Sequence, residues 1–317
     1  MDILSPVGAL TMRTAAICFI SSFLLNSLLL FLLNNTKKII GNYRFLLIVY
    51  SCFLMSYNFL DFLMLPAVHI YKSGFIYLAT SSLRHRPIGS IMAVLQSLSQ
   101  CLCMSLLSFN FLFRYSIVHS NGWARYWYIW PIVTGIIITI WLTAGVLFVM
   151  PCDYFDWYFR DSVMNKYGVD TLDTGYYAVV YLIENPESGN MDYYFPSVFC
   201  LGLVAVCQLI TGSLIGFCGF YLYKSIKMAS HFASGVMAKV HKDLFVTLVL
   251  QTITPCLMVY VPGFILIVAP LLDIDANRIR IEEFQPLLIS VFPIIDTLIV
   301  LVCFKGFRTA LKSKSVL

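Results

Sequence analysis

Charge is what this chain has least of. Asp, Glu, Lys and Arg make up 12% of its 317 residues, hydrophobic residues make up 60%, and the mean hydropathy is +0.83. A water-soluble domain carries roughly twice that share of charge, so a soluble globular fold is excluded. Histidine is scarce too. His69, His85, His119, His231 and His241 form no His-x-x-x-His pair, and none lies in a cysteine-rich metal site, so the usual signatures of a metal centre are missing. Only Asp61 and Asp296 are acids within apolar stretches. They lie about 24 Å and about 13 Å from the same side at 1.5 Å per residue, which excludes a protease-like carboxylate pair. The last apolar stretch has no lysine before Lys305 at its end, so a Schiff-base pigment is excluded. Nothing here points to an enzyme, a cofactor or a metal.

What the chain does have is seven long apolar stretches, Met12–Leu33, Phe45–Tyr71, Pro87–Phe113, Trp127–Met150, Pro196–Tyr223, Leu244–Ala269 and Phe284–Phe304. Each is long enough to cross about 30 Å of hydrocarbon as a helix. The expectation is an all-α membrane protein, a single seven-transmembrane domain over residues 1–317. A long loop spans 151–195 and a short tail 305–317. The first stretch resembles a signal peptide, but its apolar core is too long, no small-x-small site follows, and NNTKK closes it like a stop-transfer sequence. Pro66, Pro255, Pro262 and Pro293 fall inside the stretches, where neighbouring helices can satisfy the freed carbonyls.

Charge asymmetry chooses the orientation. With the N-terminus outside, thirteen Lys and Arg residues face the cytoplasm and eight face outward, as the positive-inside rule prefers. The acids segregate as well: Asp243 alone faces inward, and eight of the outward ones crowd into the 151–195 loop. The C-terminus and Arg114 are then cytoplasmic. The loop is rich in Tyr, Phe and Asp, and the alternation in YYAVVYL fits a short strand. A solvated, partly ordered loop and a lid over a pocket both fit it. In the tail, Phe304, Phe307 and Leu311 recur at helical spacing among Lys and Arg, which fits a brief amphipathic helix on an anionic leaflet of membrane lipid.

Nine of the ten cysteines lie within the stretches and only Cys152 stands near the outer side, so they read as small packing residues rather than a disulfide framework. The sequon at Asn34 faces the cytosol and is silent. Several polar residues in apolar surroundings remain. Asp61 and Asp296 fit either a buried cluster that fixes helix packing or a polar network that rearranges between two states. Asp296 lies three residues after Pro293, at an expected bend. Gln96 and Gln100, one helical turn apart, fit a cavity wall or interhelical hydrogen bonding. Arg114 closes an uncharged run and fits interfacial snorkelling or a contact to a partner.

Several ordered segments carry a resemblance. GNYRFLLI enters the second stretch and LDFLMLPAVHIY runs along it. FNFLFRY closes the third, VHKDLFVTLVLQTITPCLMVYVP fills the sixth and FPIIDTLIVLVCFKGFR the seventh. In this order they resemble the nematode serpentine chemoreceptors of the str class, the group that includes the diacetyl receptor. The resemblance implies a bundle of G-protein-coupled-receptor type that senses a small, often volatile molecule on a sensory cilium. It implies that Arg114 and Tyr115 match the family's aromatic-Arg-Tyr motif, with Phe113 before the arginine. It also implies that Pro293 and Asp296 match Pro-x-x-Asp-Pro, with Thr297 replacing the second proline, so the helix should kink less there.

The expected mechanism has two states. A ligand in the outer half contacts residues such as Gln96, Gln100, Phe199, Tyr260 and Phe292. The sixth stretch, bent near Pro255 and Pro262, then swings its inner end outward. Arg114, the Lys224–Lys242 loop and the tail meet a heterotrimeric G protein. Two other classes fit seven apolar stretches: a ligand-gated cation channel of inverted topology, which the charge count opposes, and a small-solute transporter, for which no internal three-stretch repeat is present.

Overall fold

A computed structural model describes residues 6–35, 43–118, 129–184, 190–232, 236–272, 281–304 and 307. Its helices are α1 (Pro6–Asn35), α2 (Tyr43–Met64), α3 (Ile88–Val118), α4 (Ile129–Phe148), α5 (Asp153–Tyr167), α6 (Phe195–Phe232), α7 (Val236–Pro255), α8 (Val261–Val268) and α9 (Ile281–Cys303). A π-turn over Cys256–Tyr260 joins α7 to α8 into one continuous apolar segment. Among the described residues, six helical segments are long and apolar enough to cross a membrane, and counting the pair Gly135–Phe148 and Asp153–Tyr167, bent by 76°, as one span raises the number to seven. Within that pair α4 is apolar, whereas α5 carries Asp153, Asp156, Arg160, Asp161 and Lys166. The crossing part is therefore α4.

The second apolar stretch does not run as one helix. It is helical to Met64, and Pro66–Tyr71 forms strand β1, so Pro66 opens a strand rather than interrupting a span. Proline offers no N–H to continue the ladder, and Leu65 takes a left-handed φ of 49°. The end of α2 is closed from outside, by the N–H groups of Thr80 and Ser81 on the Met64 carbonyl. Strand β2 (Gly74–Ala79) pairs with β1 through a tight turn at Lys72 and Ser73, and β3 (Tyr176–Val180) adds to the other edge of β2, all antiparallel. The strand expected in YYAVVYL is therefore present. β4 (Leu182–Glu184) pairs with β5 (Met191–Tyr193) beside it.

This sheet is covered on both faces. Ile76, Leu78, Tyr176, Ala178 and Val180 pack on Phe155, Phe159 and Val163 of α5. The alternate residues Phe75, Tyr77, Ala79, Val179 and Tyr181 pack on the bundle against Met92, Ala93, Ala144, Cys200 and Leu266. Every residue of β2 is consequently buried, and a strand buried on both faces reads as a continuous apolar run, just as a buried helix does. The described residues of the 151–195 segment thus form a cap of helix and strand. Its helix α5 begins with Asp153 and Asp156 in the first turn and ends at Gly168, φ 66°, both suited to a helix dipole and a left-handed C-cap.

Away from the cap, the helices run longer than the hydropathy pattern implies. α3 continues past Phe113 to Val118, and α6 extends to Phe232 with α7 starting at Val236. The segment expected as a Lys224–Lys242 loop is mostly helix, because Lys and Met favour helix and only the side chains change polarity. Of the expected amphipathic tail, 305–317, only Phe307 is among the described residues, and the rest lies outside them. All ten cysteines are free.

Candidate functional site

The expected site residues fall at three levels of the bundle, called here the sheet end, the middle and the far end. At the sheet end, two ionic nodes fasten the cap. Glu282, at the start of α9, accepts from the Ile70 amide at 2.5 Å, faces His69 Nδ1 at 3.2 Å and pairs with Lys166. The other ring nitrogen of His69 lies 2.6 Å from Ser162 of α5. The seventh span is thereby joined to β1 and to α5. Arg86, just before α3, pairs with Asp156, donates to the Thr174 and Thr171 carbonyls, and lies 5.2 Å from the Tyr176 ring. Burial, followed by the hydrogen bond to Asp156, pushes the Tyr176 phenol well up; burial and then the Glu282 charge do the same to Tyr167. Both stay neutral donors, to Asp156 and to the Val68 carbonyl.

Just beneath the sheet, Asp61 is 2% exposed. Its oxygens accept from Gln96 Nε2 at 3.2 Å and from the Ser290 hydroxyl, so spans two, three and seven meet there. Gln96 therefore serves at least as interhelical hydrogen bonding. Gln100, one turn on, leaves its Nε2 buried without a hydrogen-bond partner. Its carbonyl accepts from Tyr260 Oη at 2.6 Å, and the Met104 amide donates to that same oxygen at 3.1 Å. Phe292 is fully buried and meets Tyr57 edge-on at 5.7 Å. Phe199 is not with them. It is 44% exposed and packs on Phe148 and Phe195 at the rim, because its position on α6 faces away from the bundle axis.

The π-turn has a local cause. Pro262 lacks an N–H and would crowd the carbonyl four residues back in a regular helix. The backbone adds one residue instead, and the Val261 amide bonds Cys256, five residues back. This widened turn, bracketed by Pro255 and Pro262, carries Tyr260 to α3.

In the middle, Asp296 is fully buried and accepts from Gln251 Nε2 of α7 at 2.8 Å. Beside it the Thr297 hydroxyl is shared between the Pro293 carbonyl at 2.8 Å and Asn26 of α1 at 3.1 Å. Where a second proline would have removed an N–H, threonine adds a hydrogen bond to the first span. Asp61 and Asp296 thus sit in separate clusters on either side of Pro293.

At the far end, Arg114 lies inside α3 rather than beyond it and is only 7% exposed. Burial by protein does not fit an arginine laid along lipid. Tyr115 packs its ring on Phe217 and Tyr221 of α6. Phe304 and Phe307 close the neighbouring core with Leu46, Leu47 and Leu244.

Sequence reasoning missed Glu282, His69, Arg86, Ser290, Asn26 and Gln251. For Gln251 a signal existed, a lone amide in an apolar stretch, the same signal that marked Gln96. Nothing local could have joined His69 to Glu282, 213 residues apart.

Comparison with known proteins bears on what this arrangement is. A family model described as serpentine type 7TM GPCR chemoreceptor Str matches residues 11–312. Among curated relatives, the G-protein coupled receptor str-33 of Caenorhabditis elegans is 24% identical over 312 residues, covering 95% of this chain and 90% of its own. Serpentine receptor class r-10 of the same organism is 22% identical over 297 residues, covering 90% and 85%. Among solved structures, squid rhodopsin superposes with a TM-score of 0.58 at 12% identity, over 96% of this chain and 84% of that one, a likeness of fold. The chain belongs to the Str family of serpentine seven-transmembrane chemoreceptors, receptors of G-protein-coupled type and not enzymes.

Proposed function

We propose that this multi-pass membrane protein is one seven-transmembrane domain in the plasma membrane, on a chemosensory cilium, with its N-terminus and sheet end outside. A small molecule binds beneath the sheet, against Gln96, Gln100, Tyr260 and Phe292, and a heterotrimeric G protein is activated at the far end. The observation that carries this reading is the double engagement of α9. Ser290 holds Asp61 on the sheet side of Pro293, and Asp296 holds Gln251 of the sixth span on the other side. A ligand that changes how α9 sits near Ser290 acts on the sixth span through the same helix. It must bind one arrangement more tightly than the other, since equal affinity shifts no equilibrium. The name of the relative str-33, a G-protein coupled receptor, and the excess of Lys and Arg on the Arg114 side support the same direction.

Antibody accessibility of tags at both ends, before and after permeabilisation, tests it first, followed by a ligand screen with a G-protein readout. The N-terminal tag is expected on intact cells and the C-terminal tag only after permeabilisation. The reverse pattern would put Arg114 outside and end the G-protein reading.

A further inference from the structure

The Asp61 cluster carries more than helix packing requires. Its carboxylate is 2% exposed and, among the described residues, no Lys, Arg or His lies within ion-pair distance of it. Its two donors, the Gln96 amide and the Ser290 hydroxyl, are neutral. A buried carboxylate left with neutral donors costs several kcal/mol unless it takes up a proton or gains a cation beside it. Around it stand further polar atoms. Gln96 Oε1 and the Tyr57 hydroxyl are buried with no protein partner. The Tyr77 hydroxyl and Gln100 Nε2 are likewise buried without a partner. Tyr57 stands one helical turn before Asp61 on α2, and Tyr77 shares a packed cluster with Met64 and Met92, each about one turn from Asp61 or Gln96. Tyr77 in turn stacks on Tyr177 at 5.1 Å.

Gln96 Oε1 and the Asp61 carboxylate only accept, and the two phenol oxygens can accept as well as donate. The pure acceptors ask for a group with several N–H donors and positive charge. An ammonium has three donors and no acceptor, and tyrosine faces attract it further. A ligand offering only a carbonyl would satisfy the phenols but leave Gln96 Oε1 and the Asp61 charge unanswered. We propose that Asp61, with Gln96, Tyr57 and Tyr77, seats the ammonium group of a small organic amine. The assignment rests on the reading above that a ligand binds beneath the sheet, and it makes β2 a contributor to specificity through Tyr77.

The test is thermal unfolding of the purified receptor in detergent, which reads binding without a G protein. The probes are the primary amines from ethylamine to hexylamine, each paired with the alcohol of the same carbon skeleton. At least one amine is expected to raise the midpoint in a saturable way while its alcohol does not, and Asp61→Asn is expected to abolish the rise. Tyr77→Phe keeps the ring and the stacking and is expected to raise the half-saturating amine concentration about five- to tenfold, the worth of one hydrogen bond. It decides the matter if Asp61→Asn fails to fold. Equal shifts by the alcohols, no shift with any amine, or an unchanged amine response in these variants would overturn the assignment. So would sodium ions producing the whole effect relative to N-methyl-D-glucamine, which would make the site one for an inorganic ion. Amine binding without G-protein activation would instead count against the receptor reading and leave this one standing.

Discussion

The Tyr260 hydroxyl stands between the Gln100 carbonyl, at 2.6 Å, and the Met104 amide, at 3.1 Å. These two groups are four residues apart and would bond each other in an uninterrupted helix. A side chain of the sixth span therefore bridges two backbone groups of the third. Its reach depends on the π-turn, where the backbone has already been widened.

Removing that hydroxyl should leave the fold intact and the spans less tied. In Tyr260→Phe the Gln100 carbonyl and the Met104 amide have each other as helix partners, so the net loss of stability stays within about 1 kcal/mol. Ligand-independent G-protein activation is expected to rise at equal surface level. Basal signalling identical to that of the parent receptor would show that the bridge does not hold the sixth span.

Arg114→Ala probes the far end. Its guanidinium is buried, and loss of one charged hydrogen-bonding group costs about 1.5–3 kcal/mol, so signalling should fall at least about tenfold. Surface expression, measured alongside, should be retained. Full signalling at matched surface level would remove Arg114 from the coupling machinery.

The two partners of the Glu282 node should not be equal. The Glu282 side chain is 7% exposed and that of Lys166 39%, so the lysine pair is screened by solvent. Glu282→Ala strips the Ile70 amide and His69 of their acceptor and should cost about 2–4 kcal/mol. Lys166→Met should cost less than about 1 kcal/mol. Melting curves of the two purified variants compare them directly; equal losses would mean the lysine, not the backbone amide, holds the node.

Gly175 is where the cap meets the third span. A Cβ there would lie 2.2 Å from the Ser90 amide nitrogen and 2.4 Å from the Gly89 carbonyl carbon, both backbone atoms that cannot step aside. Gly175→Ala should cost about 1–3 kcal/mol or more by overpacking and lower the amount of receptor reaching the surface. Normal surface levels and an unchanged melting point would show that the cap shifts freely on α3.

The chain's own composition determined that it crosses a membrane about seven times, because hydrocarbon admits long apolar helices and little else. The same property made the acids and amides stand out, so Asp61, Gln96 and Asp296 were legible one by one. Their partners were not. Hydropathy is a one-dimensional signal, and Ser290 against Asp61 or Thr297 against Asn26 joins residues 229 and 271 positions apart. The break at Met64 was hidden for a related reason: strand β1 is short, half of it is buried beside the fully buried β2, and its apolar run cannot be told from the helix before it. Phe199 looked like a pocket residue and lies on the rim, since an aromatic on a helix that is apolar all round carries no mark of which way it faces. The number of spans and the presence of buried polar residues follow from the sequence alone. Which of those residues touch, how the 151–195 segment folds over the bundle and where Tyr260 meets α3 were decided only when the helices packed.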